Sequence, residues 1–282
     1  MSFQIYPANV VKFLQNRFFN YFCTRYELYM VMRKLFAMIF STFLLLSCAD
    51  ASVKEYRLEV VAEYPHDRES YTQGLFFHKG EMYETTGLHG KSTLRQVDLQ
   101  SGKAVKRQDF NDKYFVEGSV VMGDNLYVLT WETRVAFIYD AATLEYKSSW
   151  SYPREGWGIT TDGKQLIASD GSSTLFFMDA EFATKRRLVV KYEDKPVRWL
   201  NELEYIDGKI WANVYTSDEI VIINPKDGRV EGLIDCRGLL PDKLRKPDTD
   251  VLNGIAFNPE TGKIYLTGKN WPKLYEVRLV EK

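Results

Sequence analysis

The sequence contains little that could bind a metal ion or form disulfide bonds. It has 282 residues with 3 Cys, and its 3 histidines are not spaced like metal ligands: His66, His78 and His89. We therefore predict no metal and no other cofactor. Two of the cysteines, Cys23 and Cys48, lie near the N-terminus, so no disulfide framework is possible in the rest of the chain. Cys236 could be a nucleophile, but without a nearby His it is better interpreted as a small buried side chain.

An excess of charge of one sign is also missing. Lys and Arg total 37 against 38 Asp and Glu, which gives a net charge of -1, and no segment concentrates basic residues. Nucleic acid is therefore not an expected partner. Aromatic residues, by contrast, make up 15% of the chain. Such a density suits the half-buried faces of β-strands and favours an all-β fold.

The apolar run near the N-terminus is too short for a comfortable transmembrane helix. It covers residues 35–46, follows the basic Met32-Arg33-Lys34 and is followed by Ser47-Cys48, so that the segment Leu45-Leu46-Ser47-Cys48 stands at its end. This order is typical of an export signal, and the last four residues resemble a bacterial lipobox. Lipid on Cys48 would anchor the mature protein to a membrane.

These features divide the N-terminal part of the chain into three predicted segments. Residues 32–48 are interpreted as a lipoprotein-type signal peptide and residues 49–55 as a short linker. Residues 1–31 precede what looks like a complete signal and are interpreted as a non-native upstream extension. The protein is accordingly expected in the periplasm or on the cell surface of a bacterium. An uncleaved N-terminal anchor is the alternative.

Long stretches with helical periodicity are missing after residue 56. Instead, short apolar-alternating runs bounded by Gly, Asp and Asn recur five times, each followed by an outer pair of strands. The residues before the repeated glycine position are 44, 40, 44 and 52 positions apart: Gln73, Glu117, Trp157, Asn201 and Asn253. This period predicts a single five-bladed β-propeller over residues 56–282, with four-stranded antiparallel blades around a central channel. A β-sandwich would not produce five similar units.

Equivalent positions in a propeller form rings around the mouth of the channel. About fourteen residues after the first ring stands a second one: Gly87, Trp131, Asp170, Tyr215 and Lys269. Polar side chains there could simply satisfy turn backbone. Glu117 is harder to explain in that way, because aromatic and apolar neighbours raise a carboxyl pKa and suit it to proton transfer. We predict that Glu117 is a general acid/base. His66, beside Pro65, is expected on a surface loop.

Several segments occur in order along the repeats and together resemble the metal-free glutamine cyclotransferases of plants and bacteria. They are Tyr71-Thr-Gln-Gly-Leu75, Phe115-Val-Glu-Gly118, Leu129-Thr-Trp131, Gly156-Trp-Gly158, Asn201-Glu-Leu-Glu204, Trp211-Ala-Asn-Val-Tyr215, Asn253-Gly254 and Thr267-Gly-Lys-Asn-Trp-Pro-Lys-Leu-Tyr275. The resemblance covers the whole predicted propeller.

The resemblance implies an enzyme that converts the N-terminal glutamine of peptides or proteins into pyroglutamate and releases ammonia. It implies that Glu117 is the acid/base and that Lys269, Asn201 and Gln73 assist catalysis. It also implies a substrate-binding lining of Tyr71, Phe115, Trp131, Trp157, Tyr215 and Asn253. Tyr71 and Tyr215 depart from the family, which often has Phe and Trp at these positions, but both remain aromatic.

Two other functions remain open. One is a non-catalytic propeller lipoprotein that binds peptides or glycans at the same mouth, since propellers host binding as readily as chemistry. The other is a different propeller enzyme, which would need clustered metal ligands or paired carboxylates, with Asp170 as the possible second carboxylate. A third function, that of a structural surface lipoprotein, is disfavoured by the aromatic and polar rings. In each case we expect a monomer.

Overall fold

The computed structural model describes residues 29–30, 32–33 and 52–282. The predicted upstream extension and signal peptide therefore lie almost entirely outside the described residues, and so does Cys48. Within the described parts of the chain, no helix is long and apolar enough to cross a membrane. Residues Ser52–Lys282 form one compact unit.

This unit consists of β-strands, which confirms the predicted all-β class. One short 3-10 turn, Asp242–Leu244, lies in the long loop before the last repeat. The strands are β1 Lys54–Pro65, β2 Thr72–His78, β3 Glu81–Thr86, β4 Thr93–Asp98, β5 Lys103–Asp109, β6 Val116–Met122, β7 Asn125–Thr130, β8 Val135–Asp140, β9 Tyr146–Ser151, β10 Ile159–Thr161, β11 Leu166–Ala168, β12 Thr174–Met178, β13 Thr184–Val189, β14 Lys191–Tyr192, β15 Lys195–Pro196, β16 Leu200–Ile206, β17 Lys209–Val214, β18 Glu219–Ile223, β19 Val230–Asp235, β20 Leu252–Asn258, β21 Lys263–Gly268 and β22 Lys273–Glu281.

Three sheets match the predicted four-stranded antiparallel unit: β2–β5, β6–β9 and β10–β13. The remaining long strands form one eight-stranded sheet in the order β16-β17-β18-β19-β1-β22-β21-β20. Within it, β1 pairs antiparallel to β22 and parallel to β19, with Lys54 opposite Gly232. Because β1 joins two sets of strands into one sheet, five separate blades stay a prediction.

The first strands of the repeats, β2, β6, β10, β16 and β20, contact one another in that order, and β20 contacts β2. Glycine makes this approach possible. A Cβ atom added to Gly74 would lie 2.7 Å from the Ser119 nitrogen, and one added to Gly118 would lie 2.7 Å from the Trp157 carbonyl oxygen. The Gly118 N–H donates to that same oxygen at 2.7 Å. The repeated glycine therefore allows backbones of neighbouring repeats to touch.

Glu202 stands where the other four repeats have glycine, and its side chain links three first strands. Its carboxylate accepts hydrogen bonds from the Leu75 N–H of β2 at 3.3 Å and the Ile255 N–H of β20 at 2.9 Å. Glu202 is buried, and this burial raises its pKa well above the usual range of a carboxyl group. The same side chain thus satisfies two buried donors between strands that do not share a ladder.

The structure overturns the expected surface position of His66, which is buried. Its Nδ1 lies 2.7 Å from the Trp271 carbonyl oxygen and its Nε2 lies 3.1 Å from Glu84. Glu84 also accepts from Arg95 at 2.8 Å, and these cations hold its pKa at about 2 despite burial. Because both ring nitrogens of His66 face acceptors, the imidazole is a donor on both sides and carries charge. Cys236 is buried in the core, as expected.

Removing the Glu202 carboxylate should destabilise the fold by an amount that depends on how many N–H groups lose their acceptor. We expect Glu202→Ala to lower the free energy of unfolding by about 2–6 kcal/mol, because each buried N–H left without an acceptor costs about 1–3 kcal/mol. Glu202→Gln keeps one acceptor oxygen and should cost about half as much. Urea denaturation would measure both, with the exposed Glu145→Ala as the control. Equal costs for Ala and Gln, neither different from the control, would contradict this role.

Candidate active site

A cavity of about 330 Å³ opens at the start of the first strands. Ten residues line it: Tyr71, Gln73, Phe115, Glu117, Trp131, Trp157, Trp199, Asn201, Tyr215 and Lys269. All of them except Trp199 are predicted site residues. Four of them precede the repeated glycine position, and Trp131, Tyr215 and Lys269 follow the ends of second strands. The repeat thus brings together residues that are up to about 200 positions apart in sequence.

Two second-ring residues do not line the cavity. Gly87 lies against the Phe115 ring, and a Cβ atom there would collide with that ring. Asp170 accepts the Ser172 N–H at 3.1 Å and so stabilises a turn. Asp170 is therefore not placed as a partner carboxylate of Glu117.

Glu117 is a buried carboxyl group whose oxygens face the cavity. It is 5% exposed, and no side chain among residues 52–282 makes a hydrogen bond to its carboxylate. Burial raises its pKa well above the usual range, Glu155 raises it further, and Lys269 opposes both effects. A carboxyl group of this kind can hold or release a proton near neutral pH.

Lys269 is the cation of the site and is 4% exposed. Its Nζ lies 4.7 Å from the centre of the Tyr71 ring and 5.1 Å from that of Tyr215. Burial lowers its pKa, whereas Glu117 and Asp250 raise it. The Tyr71 hydroxyl donates to Asp250 at 2.6 Å, which fixes one of the two rings. Lys269 is thus held by ring faces, with its N–H groups available to a ligand.

Two amide side chains on the cavity wall, Gln73 and Asn201, are buried. The Gln73 oxygen accepts from Asn253 Nδ2 at 3.3 Å, so the Gln73 amide nitrogen is the end that faces the cavity. Asn201 Oδ1 is buried and has no partner in the described part of the chain. Asn253 itself does not line the cavity, contrary to the expected substrate contact. It also donates to the Thr72 carbonyl at 2.9 Å and so positions Gln73 from behind.

Aromatic rings form most of the wall in two groups. Tyr71, Phe115 and Trp131 meet edge to face, with centroids 6.2 and 5.5 Å apart. Trp157 meets Tyr215 edge to face at 5.7 Å and lies 6.2 Å from Trp199. Edge-to-face contacts of this kind hold ring orientations. The rings give the space in front of Glu117 a largely aromatic wall.

Trp199 was missed by the sequence analysis, although the repeat contains a signal for it. It stands two residues before the first-ring position, as Tyr71 and Phe115 do in their repeats. In each of these three repeats the backbone carbonyl of that residue accepts from a second-ring N–H, at 2.8 to 3.0 Å. Applying this offset to every repeat would have selected Trp199, and also Glu155 and Val251.

Glu155 contacts two walls of the cavity. One of its oxygens accepts from Trp131 Nε1 at 2.9 Å and from Trp157 Nε1 at 3.3 Å.

Among the described residues, no three or more His, Cys, Asp or Glu side chains are grouped so that they could hold a metal ion. The site therefore presents an acid/base, a cation, amide groups and aromatic walls.

Comparisons with known proteins agree on one family. A family model described as glutamine cyclotransferase matches residues 34–279. A glutaminyl-peptide cyclotransferase of Arabidopsis thaliana is 43% identical over 240 residues, which cover 83% of this chain and 74% of that protein. The crystal structure of Myxococcus xanthus glutaminyl cyclase matches with a TM-score of 0.77 and 35% identity, over 82% of this chain and 100% of that one.

The charge of Lys269 should control the ionisation of Glu117. Because a nearby cation stabilises the carboxylate, Lys269→Met should raise the pKa of Glu117 further. A ¹³C NMR titration of the Glu117 carboxyl group would measure the change. Lys273→Met is the control, since Lys273 pairs with Glu63 outside the cavity. An unchanged or lower Glu117 pKa in Lys269→Met would show that the two groups do not interact.

Proposed function

The chain belongs to the glutamine cyclotransferase family, and on this basis we propose that it cyclises the N-terminal glutamine of peptides or proteins to pyroglutamate and releases ammonia. The observation that carries the proposal is the buried Glu117, whose pKa is raised by burial, beside Lys269 in an aromatic-walled cavity. Cyclisation needs no nucleophile from the protein, because the substrate's own α-amine attacks. The protein has to fold the glutamine back and move one proton.

The reaction forms a bond between the α-nitrogen and the side-chain amide carbon of the same glutamine. Collapse of the tetrahedral intermediate breaks the bond from that carbon to the amide nitrogen, which leaves as ammonia. Glu117 takes one proton from the attacking amine and delivers one to the leaving nitrogen, so it ends in its starting state. Its position inside the cavity, free of side-chain hydrogen bonds from residues 52–282, suits this exchange.

Negative charge develops on the amide oxygen during attack and needs donors in a dry site. The Lys269 ammonium and the Gln73 amide nitrogen, which faces the cavity, are the proposed donors to this oxygen. Asn201, which lines the same cavity, is proposed to contact the attacking amine through its side-chain amide. Together these contacts would orient the amine toward its own amide carbon.

The aromatic walls would hold the folded-back side chain and keep water away from the intermediate. Trp199 is 53% exposed and forms the outer part of this wall. The peptide chain beyond the glutamine would leave the cavity past it.

We also propose that the eight-stranded sheet represents two blades, β16–β19 and β20–β22 with β1, which makes five blades in total. The closed order of contacts among the five first strands supports this. In this arrangement β1 would close the ring by adding the outer strand of the last blade. The space between the first strands would be the central channel.

Export as a lipoprotein is proposed from the sequence pattern around Cys48. In that case a monomer anchored outside the bacterial cytoplasm would act on exported or external peptides. The intact mass of membrane-extracted protein would test it: a lipid-modified Cys48 at the N-terminus supports the proposal, and an unmodified longer chain contradicts it.

Incubating the purified full-length protein with a Gln-initiated peptide tests the activity. We expect ammonia release with the matching mass loss of the peptide, and no effect of a chelator. Glu117→Gln should reduce kcat by about 10²–10⁴-fold, the usual contribution of a general acid/base. Asp170→Asn, outside the cavity wall, is the matched carboxylate control. If the folded wild-type protein bound the peptide without cyclising it, a peptide-binding propeller would be the better account.

A further inference from the structure

We propose that Glu155 is a positioning residue for cyclisation, because its carboxylate holds Trp131 and Trp157 together as adjoining walls of the cavity. This inference rests on the proposed function and adds to it a residue outside the expected catalytic set. Glu155 does not line the cavity. It acts on the substrate through the two indole rings.

The geometry is a carboxylate oxygen shared by two donors. Trp131 Nε1 and Trp157 Nε1 lie 2.9 and 3.3 Å from the same Glu155 oxygen. An indole N–H can only donate, so a single acceptor between two rings fixes both of them. Trp131 follows β7 and Trp157 precedes β10, so the contact joins two different sheets at the mouth.

The position of Glu155 in the repeat shows that packing alone does not require a carboxylate there. The equivalent residues are Tyr71, Phe115, Trp199 and Val251, all aromatic or aliphatic. Glu155 is the one charged residue of this set. An apolar side chain would pack at this position, as in the other repeats, but it could not accept the two indole hydrogens.

The neighbouring backbone brings Glu155 to this place. The Gly156 N–H donates to the Thr130 carbonyl at 3.0 Å. A Cβ atom on Gly156 would lie 2.5 Å from the Leu129 Cβ and 2.9 Å from the Thr130 oxygen. Only glycine allows this close approach to the end of β7. The close contact of Gly156 with the end of β7 therefore fixes the backbone next to Glu155 and places its side chain between the two tryptophans.

The same carboxylate also acts on the acid/base. Glu117 feels the positive charge of Lys269 and the negative charge of Glu155, and the second raises its pKa. A variant that removes the Glu155 charge should therefore lower the Glu117 pKa. A purely structural role in holding rings would leave this ionisation where it is, so the two effects can be separated.

The test compares Glu155→Ala, Glu155→Gln and Glu132→Gln with the wild-type protein on a Gln-initiated peptide. Glu132 is an exposed carboxylate next to Trp131 in the chain and is the matched control. We expect Glu155→Ala to raise KM about ten- to hundredfold, because it removes hydrogen bonds to a charged acceptor. Glu155→Gln should raise KM less and should shift the Glu117 ionisation in the pH profile of kcat/KM to lower pH. Glu132→Gln should change neither.

A double-mutant cycle tests whether Glu155 affects KM through the Trp131 indole. Trp131→Phe removes one indole donor, so Glu155→Gln should cost less in that background than in the wild-type protein. Fully additive effects would overturn the proposal. So would a Glu155→Ala variant with wild-type KM.

Near-UV circular dichroism separates failure of this proposal from failure of the proposed function. If the wild-type protein does not cyclise the peptide, the proposed function fails. The tryptophan bands should still change in Glu155→Ala and not in Glu132→Gln, because the rings lose their shared acceptor. Unchanged bands in Glu155→Ala would overturn the positioning role whatever the activity.

Discussion

Direct backbone packing between the first strands of successive repeats is the constraint on which the site depends. At Gly74 and Gly118 the neighbouring backbone lies where a Cβ atom would stand. The residues before Gly74, Gly118 and Gly158 all line the cavity. In β16, Glu202 stands where the other repeats have glycine. Its carboxylate accepts hydrogen bonds from N–H groups of β2 and β20 and so links the three strands. Gln73, Glu117, Trp157 and Asn201 share one cavity as a consequence.

The chemistry of the cavity follows from opposing charges on two buried side chains, Glu117 and Lys269. Burial raises the pKa of Glu117 and lowers that of Lys269, and the attraction between the two groups opposes both shifts. Glu155 stands outside the cavity and moves the balance toward the protonated carboxyl group. A group held between the two states can both accept and return a proton, and a single cyclisation event requires both steps.

Most of the site could be predicted from the sequence, because each ring position is defined by residues close to it within one repeat. A fixed offset from a glycine predicts a position in space when every repeat has the same geometry. Contacts between repeats are not local. His66 lies in the loop after β1, as expected, but it is buried against Glu84 of β3 and the Trp271 carbonyl rather than on the surface. Asn253 occupies a ring position but donates a hydrogen bond to Gln73. Trp199 shares a sequence offset with Tyr71 and Phe115, and the backbone hydrogen bonds of the three repeats show that the offset is also a shared position in space.

The most direct test of the central claim is a crystal structure of Glu117→Gln with a Gln-initiated peptide bound. If Glu117 moves the proton, the side-chain amide of the peptide's first residue should lie within hydrogen-bond distance of residue 117. Its oxygen should face Lys269 and Gln73, and its α-amine should lie beside Asn201. A peptide bound with its first side chain outside the cavity, or with that amide turned away from residue 117, would contradict the assignment of Glu117 as the group that moves the proton.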